Sequence, residues 1–245
     1  MATTLVVPCF NEASRLDTDA FLSFAKATDV RFVFVDDGSR DDTFAVLQRM
    51  ADALPNAVTA LRLERNLGKA EAVRYGMTIA MEDPSGLVGF WDADLATPLA
   101  ELDALVDEFG ASDRIQMVIG SRVLLMGRHV DRKPIRHYAG RVFATAVSVA
   151  LRLPIYDTQC GAKLFRNNEI TRRLFEDAFL SRWIFDVELI ARLQRAVAAT
   201  DATMAGYLVE HPLMSWTDVP DGQLKLGDFA KSAVDLIRIY RHYLR

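Results

Sequence analysis

The sequence predicts an α/β fold in which a mostly parallel central sheet is flanked by helices. Two observations predict it: short apolar runs alternate with stretches of helical periodicity, and three of the runs end directly in polar residues. Such alternation is typical of parallel strands joined by right-handed crossovers. Open α/β sheets bind ligands at the carboxyl ends of their strands, so the polar residues there are the first site candidates.

The elements of the first half follow in regular order. Apolar runs rich in β-favouring residues predict strands at residues 3–8, 31–36, 58–63, 87–91 and 116–121. Helical periodicity between them predicts helices at 20–28, 41–54, 69–81 and 98–109. Ser39, with Asp42 at the third place after it, predicts a capping pattern for the second helix.

The regular alternation ends after Arg122. The remaining pattern predicts helices at 135–151, 185–196 and 224–244, and strands at 162–165 and 202–210. We expect one compact domain with a C-terminal extension, because no Pro/Gly/Ser-rich linker divides the chain. The extension has one apolar and one charged side, so it predicts an amphipathic helix that packs on its own domain or contacts a membrane surface.

Cysteine usage and hydropathy indicate the cellular compartment that we expect for the protein. Cys9 and Cys160 lie far apart, and no basic-then-apolar leader begins the sequence, which predicts a reducing cytoplasm. The longest nearly apolar stretch, residues 142–151, falls short of the roughly 20 residues that span a bilayer, so we expect no transmembrane helix. The four histidines are scattered and indicate no zinc site.

Basic residues concentrate in the segment 122–141. Its six basic residues stand against one acid, a balance of +5 in a chain whose total is −4. This asymmetry indicates an anionic partner, although a solvated basic loop gives the same pattern. Nucleic acid is disfavoured, because the whole chain is acidic and no aromatic platform accompanies the arginines.

Asp92 and Asp94 follow the fourth predicted strand directly. Two carboxylates at the carboxyl end of a buried strand suit a hard divalent cation that also holds a diphosphate. A solvated turn or a helix cap is the alternative interpretation. The dinucleotide-binding glycine pattern is absent after the first strand, and Asn66–Ala70 lacks the glycine and hydroxyl residue of a phosphate loop. The remaining interpretation is a site in which carboxylates and a metal hold a nucleotide.

Seven motifs, in this order and spacing, resemble those of the family 2 glycosyltransferases with the Rossmann-like GT-A fold. They are Pro8–Glu12, Val35–Ser39, Arg65–Lys69, Asp92–Asp94, Gly120–Arg122, Asp157–Phe165 and Arg182–Glu188. The last two are similar to the dolichyl-phosphate or polyprenyl-phosphate β-glucosyltransferase branch. The chain departs from that branch at Ala162, where an aromatic residue is usual, and in lacking the transmembrane helix that its members usually carry.

The resemblance implies a nucleotide-sugar half at residues 1–121, an acceptor half at 122–223 and an amphipathic helix at 224–245. The nucleoside pocket would be lined by Pro8, Asn11 and Glu12, with Asp36 facing the base and Asp37 nearby. A carboxylate that accepts the imide N–H of uracil selects uridine over cytidine, because cytosine has no proton there. The resemblance therefore favours a UDP-sugar as donor.

The same resemblance implies a cation, Mg²⁺ or Mn²⁺, held against the diphosphate by Asp94 and by Asp92, which would also contact the ribose or the sugar. Lys69 would help to bind the donor. The mannosyl branch has a glutamine where Ala96 stands here, so water or substrate must supply one more metal ligand.

The implied reaction is an inverting transfer of a sugar, glucose by branch resemblance, to a polyprenyl or dolichyl phosphate. Arg122 would reach the diphosphate or the acceptor phosphate. Asp157, or less favourably Asp186, would orient a phosphate acceptor or deprotonate a hydroxyl acceptor. The alternative is that neither carboxylate takes part in the reaction. Asp157 would then lie in an ordinary loop, and Asp186 would cap a helix. The acceptor would contact Arg128, Arg132, Arg136 and Lys163.

Two other functions remain open at this stage. One is glycosyl transfer to a soluble hydroxyl compound or glycan, and the other is non-catalytic binding of a nucleotide sugar. The favoured reaction places the protein in the cytoplasm, with weak peripheral attachment to anionic lipid at the inner face of the membrane.

Overall fold

The structure is a computed structural model that describes residues 1–83, 86–131, 134–199, 204, 206–218 and 226–245. The chain forms two compact units, residues 1–95 with 161–178 and residues 96–160 with 179–245. These units differ from the predicted halves, because residues 96–121 belong to the second unit and 161–178 to the first.

The strands, in chain order, are β1 (Thr3–Cys9), β2 (Val30–Asp36), β3 (Val58–Arg62), β4 (Leu87–Trp91), β5 (Met117–Ser121), β6 (His129–Asp131), β7 (Ala162–Arg166), β8 (Leu208–Pro212) and β9 (Ser215–Thr217). The helices are α1 (Thr18–Ala27), α2 (Thr43–Ala53), α3 (Lys69–Ala80), α4 (Leu102–Glu108), α5 (Pro134–Leu151), α6 (Glu169–Glu176), α7 (Phe185–Ala198) and α8 (Leu226–Ile239). A 3₁₀ turn, Leu99–Glu101, leads into α4, and a π-helical turn, Tyr240–Leu244, follows α8.

The first unit is built on a sheet in which the strands lie in the order β3-β2-β1-β4-β7. The first four are parallel, and β7 pairs with β4 in the antiparallel sense. Phe21 of α1 packs edge-on against Phe32 and Phe34 of β2. Gly76 lets α3 approach the sheet closely, since a Cβ there would lie 2.4 Å from a methyl group of Val6. This rigid sheet fixes the carboxyl ends of β1, β2 and β4.

The second unit contains two parallel strand pairs, β5 with β8 and β6 with β9. At its centre α7 is almost entirely buried and carries an internal ion pair, Glu188 with Arg192, at 2.7 Å. The C-terminal helix packs on this unit: the Ser181 hydroxyl donates to Asp235 of α8, and Tyr243 donates to Glu188. The amphipathic extension thus has a partner within its own unit.

The predicted α/β class, with its mostly parallel sheet and C-terminal helix, is confirmed. All five strands predicted for the first half are present, each with ends within one residue of the prediction. The strand predicted at 202–210 begins at Leu208, and part of that range lies outside the described residues. Over the described ranges, no helix is long and apolar enough to cross a bilayer.

Four features differ from the prediction. The elements β6, α6 and β9 were not predicted; Asn168, which caps α6 by accepting the N–H of Thr171, was an available signal. The predicted cap at Ser39 is wrong. Helix α2 begins after Asp42 without a side-chain cap, and the Ser39 hydroxyl accepts the N–H of Asn11 instead.

Candidate active site

The loops after β1 and β2 are tied together by side chain–backbone hydrogen bonds. Besides the bond from Asn11 N–H to Ser39, the Asn11 carbonyl oxygen Oδ1 accepts from Arg40 N–H at 3.0 Å. Glu12 N–H donates to the Thr43 hydroxyl at 2.8 Å. Asn11 takes the left-handed conformation, φ 55°, that asparagine tolerates better than most residues. The structure therefore brings Asn11 and Glu12 to the loop that follows Asp36, as the sequence predicted for one shared strand edge.

Asp36, the last residue of β2, is fully buried. Its Oδ1 accepts the N–H of Ser39 at 2.9 Å. The Nε of Arg62 lies 3.2 Å from Oδ2, but its N–H is not aligned, so Oδ2 has no hydrogen-bond donor in the described part of the chain. A buried acceptor left without a donor costs about 1–3 kcal/mol. A ligand that donates one N–H to Oδ2 would recover that free energy.

Next to it, Cys9 is buried, and burial together with the charges of Glu12 and Asp36 raises the pKa of its thiol. Cys9 is therefore a neutral packing residue. Pro8, in the same strand, lies beside Val35 of β2.

Asp37 organises the loop that precedes α3. Its two carboxylate oxygens accept the N–H groups of Leu67 and Gly68 at 2.7 and 2.8 Å. Gly38, with φ +64°, is required at this point, because a Cβ would lie 2.4 Å from the carbonyl carbon of Arg65. These bonds fix the place at which α3 begins and hold Lys69 at its first position. A direct contact of Asp37 with the nucleoside stays a prediction.

Lys69 reaches the carboxylates that follow β4. Its Nζ lies 2.5 Å from Oδ1 of Asp92, and both side chains are partly exposed. The Asp92 N–H donates to the carbonyl of Gly161 at 3.0 Å, and a Cβ at Gly161 would lie 1.9 Å from Asp92 Oδ2. Any larger residue at position 161 would force the Asp92 carboxylate to move. Gly161 lies in the Asp157–Phe165 motif, but the motif alone does not indicate this contact.

The residues after β4 fit a divalent cation of the oxygen-preferring kind. Asp94 is exposed, and Asp92 lies two residues before it, directly after the end of β4. The described residues contain no cluster of three or more His, Cys, Asp or Glu able to enclose a metal. Two carboxylates suit Mg²⁺ or Mn²⁺ that takes its other ligands from water and from a diphosphate, which is how Mg²⁺ is commonly bound.

In the second unit, Arg122 is held by Asp157. The guanidinium Nε and a terminal NH₂ donate to the two Asp157 oxygens at 2.6 and 2.8 Å. The backbone N–H groups of Arg122 and Gln159 donate to the same carboxylate. The Arg122 guanidinium also lies 5.3 Å from the ring centre of Trp216. With four donors on its oxygens, Asp157 is a positioning residue for Arg122 and a poor proton acceptor.

Glu210 of β8 supports this pair. It accepts the Ser121 hydroxyl, the Tyr156 N–H and the Asp157 N–H at 2.6, 2.8 and 2.6 Å. The strands β5 and β8 bring it there, since Ile119 lies opposite Glu210 in the pairing. Sequence reasoning missed Glu210, because only the β5–β8 register connects it to Ser121.

The other predicted site residues lie in different settings. Asp186 is buried in the first turn of α7 and does not cap it. Lys163 is fully buried in β7 with its Nζ over the Phe90 ring, so the structure does not present it to an acceptor. Arg128 is partly exposed and contacts the Met214 sulfur. Arg132 lies outside the described residues, and the side chain of Arg136, in α5, is not described.

The family model of glycosyl transferase family 2 matches residues 4–171. The chain belongs to this family. A dolichyl-phosphate β-glucosyltransferase of Trichomonas vaginalis is 32% identical over 250 residues, 97% of this chain and 70% of that protein. One of Saccharomyces cerevisiae is 29% identical over 263 residues, 98% of this chain and 75% of that protein. The predicted family and branch are confirmed, and the protein is a glycosyltransferase.

Solved structures agree on the fold. Glucosyl-3-phosphoglycerate synthase from Mycobacterium tuberculosis, solved with phosphoglyceric acid, gives a TM-score of 0.66 at 18% identity, over 98% of this chain and 78% of that one. A mannosyltransferase from Pyrobaculum calidifontis, solved with GDP-Man and Mn²⁺, gives a TM-score of 0.60 at 20% identity, over 97% of this chain and 62% of that one. At these identities the likeness establishes the GT-A-type fold alone.

Proposed function

We propose that this enzyme transfers glucose from UDP-glucose to a dolichyl or other polyprenyl phosphate, with inversion at the anomeric carbon and with Mg²⁺ or Mn²⁺. The single observation that carries the donor assignment is the buried Asp36 carboxylate, whose Oδ2 lacks a hydrogen-bond donor among the described residues. The acceptor is supported by the relatives, which are named for action on dolichyl phosphate.

Uracil would supply the hydrogen-bond donor that Oδ2 of Asp36 lacks in the described part of the chain. Its imide N–H is a donor, whereas the corresponding cytosine nitrogen is an acceptor that would repel a carboxylate. The loops that surround Asp36 are pre-formed by the bonds of Asn11, Ser39 and Asp37. Oδ2 itself is covered, so the half-exposed Arg62 side chain beside it would move aside when the base binds. UDP is therefore the carrier that this edge of the first unit best accommodates.

The diphosphate would lie near the carboxyl end of β4. Asp94 would hold the cation, with Asp92 beside it, and Lys69 would add a second positive charge from the start of α3. A bound divalent cation neutralises the oxygens of the departing UDP. When the donor binds, Lys69 can divide its contacts between Asp92 and the phosphate oxygens, because both side chains are partly exposed.

A phosphate acceptor agrees with the environment of Asp157 better than a hydroxyl acceptor does. A hydroxyl needs a general base, and the Asp157 oxygens are occupied by four donors. A lipid phosphate is already anionic and needs orientation only, which the planar fork of Arg122 can give. Its attack on an α-linked donor yields a β-linked product. The partly exposed Arg128 and the basic residues after it would add attraction to the phosphate.

The test is UDP release from UDP-glucose with polyprenyl phosphate, with the neutral prenol and without acceptor, each with Mn²⁺ and with chelator. We expect release only with the phosphate and the metal, and a β-linked product by NMR. Equal release with the prenol, or transfer to a soluble glycan with polyprenyl phosphate inert, would overturn the acceptor.

Asp94→Asn tests the metal in the same assay. The variant should lose metal-dependent turnover while its thermal unfolding without ligand stays unchanged, because Asp94 is exposed. Near-normal turnover of Asp94→Asn would overturn the metal assignment and leave the acceptor question intact.

A further inference from the structure

The loop between β5 and β6 presents neighbouring apolar side chains to solvent. Leu124 and Leu125 are each half exposed, and Met126 is fully exposed. Met214, which precedes β9, is half exposed as well. Single exposed apolar residues are ordinary on protein surfaces, whereas a contiguous group marks a contact surface. We refer to residues 124–126 as the apolar loop.

The base of the apolar loop is fixed at both ends. On one side, Arg122 is held by the bidentate pair with Asp157. On the other, His129 N–H donates to the Met214 carbonyl at 2.8 Å, and β6 pairs with β9 from His129 onward. Gly127, with φ +82°, makes the turn in open space. The exposed tip is thus carried on an ordered support.

Basic residues surround the apolar loop in sequence. Arg128 follows it after Gly127 and is partly exposed, and the segment 122–141 carries a balance of +5. The rest of the chain carries −9, since the total is −4. An apolar tip beside cationic side chains is the combination that binds anionic bilayers, through burial at the headgroup boundary and attraction to the lipid charge.

We propose that the apolar loop inserts into the headgroup boundary of an anionic membrane and docks the second unit there. The purpose of this docking rests on the proposed function, because a polyprenyl phosphate acceptor resides in a bilayer. The membrane contact itself is inferred independently of that function. Arg122, which we propose to receive the acceptor phosphate, lies two residues before the loop. Insertion would bring Arg122 close to the lipid headgroups.

Vesicle flotation tests the docking. The full chain is mixed with vesicles of phosphatidylcholine alone or with about a third phosphatidylglycerol, the anionic fraction supplying the charge attraction. Replacing Leu124, Leu125 and Met126 with serine should lower binding to the anionic vesicles about tenfold or more, because most of the buried apolar area is lost. The control is Tyr75→Ser, which removes one exposed aromatic residue of α3 and should leave binding unchanged.

A label on the loop measures insertion directly. Both native cysteines are buried, so Met126→Cys can be labelled selectively with a polarity-sensitive fluorophore. The emission should shift to the blue on addition of anionic vesicles, while a label at Tyr75→Cys should not respond. Absence of a shift at position 126, with the protein bound to the vesicles, would overturn the proposal.

The remaining outcomes separate the alternatives. A triple serine variant that changes the oligomeric state in solution, with vesicle binding unchanged, would show that the loop contacts a second copy of the chain and would overturn membrane docking. The triple variant should keep its turnover with a short, water-soluble prenyl phosphate, since these residues lie outside the proposed site. If neither protein turns over any prenyl phosphate while the label still shifts, the proposed acceptor fails and the docking stands.

Discussion

Arg122 and Asp157 form a bidentate ion pair in which the guanidinium donates at 2.6 and 2.8 Å to the two carboxylate oxygens. The pair is largely buried, with 14% of the Arg122 side chain and 8% of the Asp157 side chain exposed. A planar arginine fork held in this way has a fixed orientation.

Asp157→Asn should lower kcat/KM by about 100-fold, about 2.7 kcal/mol of transition-state stabilisation, because Arg122 loses the carboxylate that fixes its orientation toward the acceptor. The shape of the pH–rate profile should stay that of the native enzyme, since we assign Asp157 to positioning rather than to proton transfer. Steady-state kinetics across pH checks both. A profile that loses its acid limb in the variant would make Asp157 the base. The control Glu169→Gln removes a largely exposed ion pair with Arg173 and should have no effect.

Asp36→Asn should reverse the base preference. The amide keeps the Oδ1 contact with Ser39 N–H but places an NH₂ donor where Oδ2 stands. That donor opposes the uracil imide N–H and matches the cytosine acceptor, so UDP should bind at least tenfold more weakly, about 1.4 kcal/mol, and CDP more tightly. Calorimetry with UDP and with CDP measures both dissociation constants. The control is Asp52→Asn in α2, an exposed residue whose carboxylate accepts from Gln48. An unchanged UDP preference in Asp36→Asn would remove Asp36 from the base pocket.

The sequence predicted the strand ends well because they depend on local patterns. Asn11, Asp36 and Asp92 each follow a short apolar run, and parallel strands place such residues at one edge. The Ser39 cap was predicted wrongly because its hydroxyl binds Asn11, 28 residues away in sequence, rather than its own helix. A local capping pattern contains no information about that competing donor.

Glu210 and Gly161 could not be given roles from the sequence for the same reason. Glu210 meets Ser121 across 89 residues, and only the β5–β8 register brings them together. Gly161 meets Asp92 because β4 and β7 pair with Trp91 opposite Ala162. The register of an antiparallel partner fixes which residue must be small, and one sequence does not reveal that register.

Gly161→Ala should displace Asp92 and reduce turnover at least tenfold, because the new Cβ would lie 1.9 Å from Asp92 Oδ2. The Mn²⁺ concentration needed for half-maximal rate should rise, since the carboxylate beside Asp94 is moved. Metal titration of the steady-state rate measures this. Gly110→Ala is the matched control, where the Cβ would approach a single carbonyl at 3.1 Å and no site residue. Equal metal dependence in both variants would contradict the positioning role of Gly161.

Tyr243 gives the C-terminal π-helical turn a pH-dependent contact with α7. Its hydroxyl donates to Glu188 at 3.0 Å and accepts from Arg192 at 3.1 Å. Burial, followed by the charge of Glu188, raises the pKa of Tyr243 above its ordinary value of 10.0. The folded state thus favours the neutral phenol. Its contribution to stability is fully present below about pH 10, where the unfolded tyrosine ionises, and is lost as pH rises through the folded pKa.

Tyr243→Phe should therefore be less stable than the native protein at neutral pH by about 1 kcal/mol, the usual contribution of one hydrogen bond. Above about pH 10 its free energy of unfolding should fall less steeply, because the ionising phenol is gone. Urea unfolding at a series of alkaline pH values measures both. Tyr75→Phe, at a partly exposed site on α3, should keep the native slope. If Tyr243→Phe also kept the native alkaline slope, ionisation of Tyr243 would not be linked to the packing of the C-terminal turn on α7.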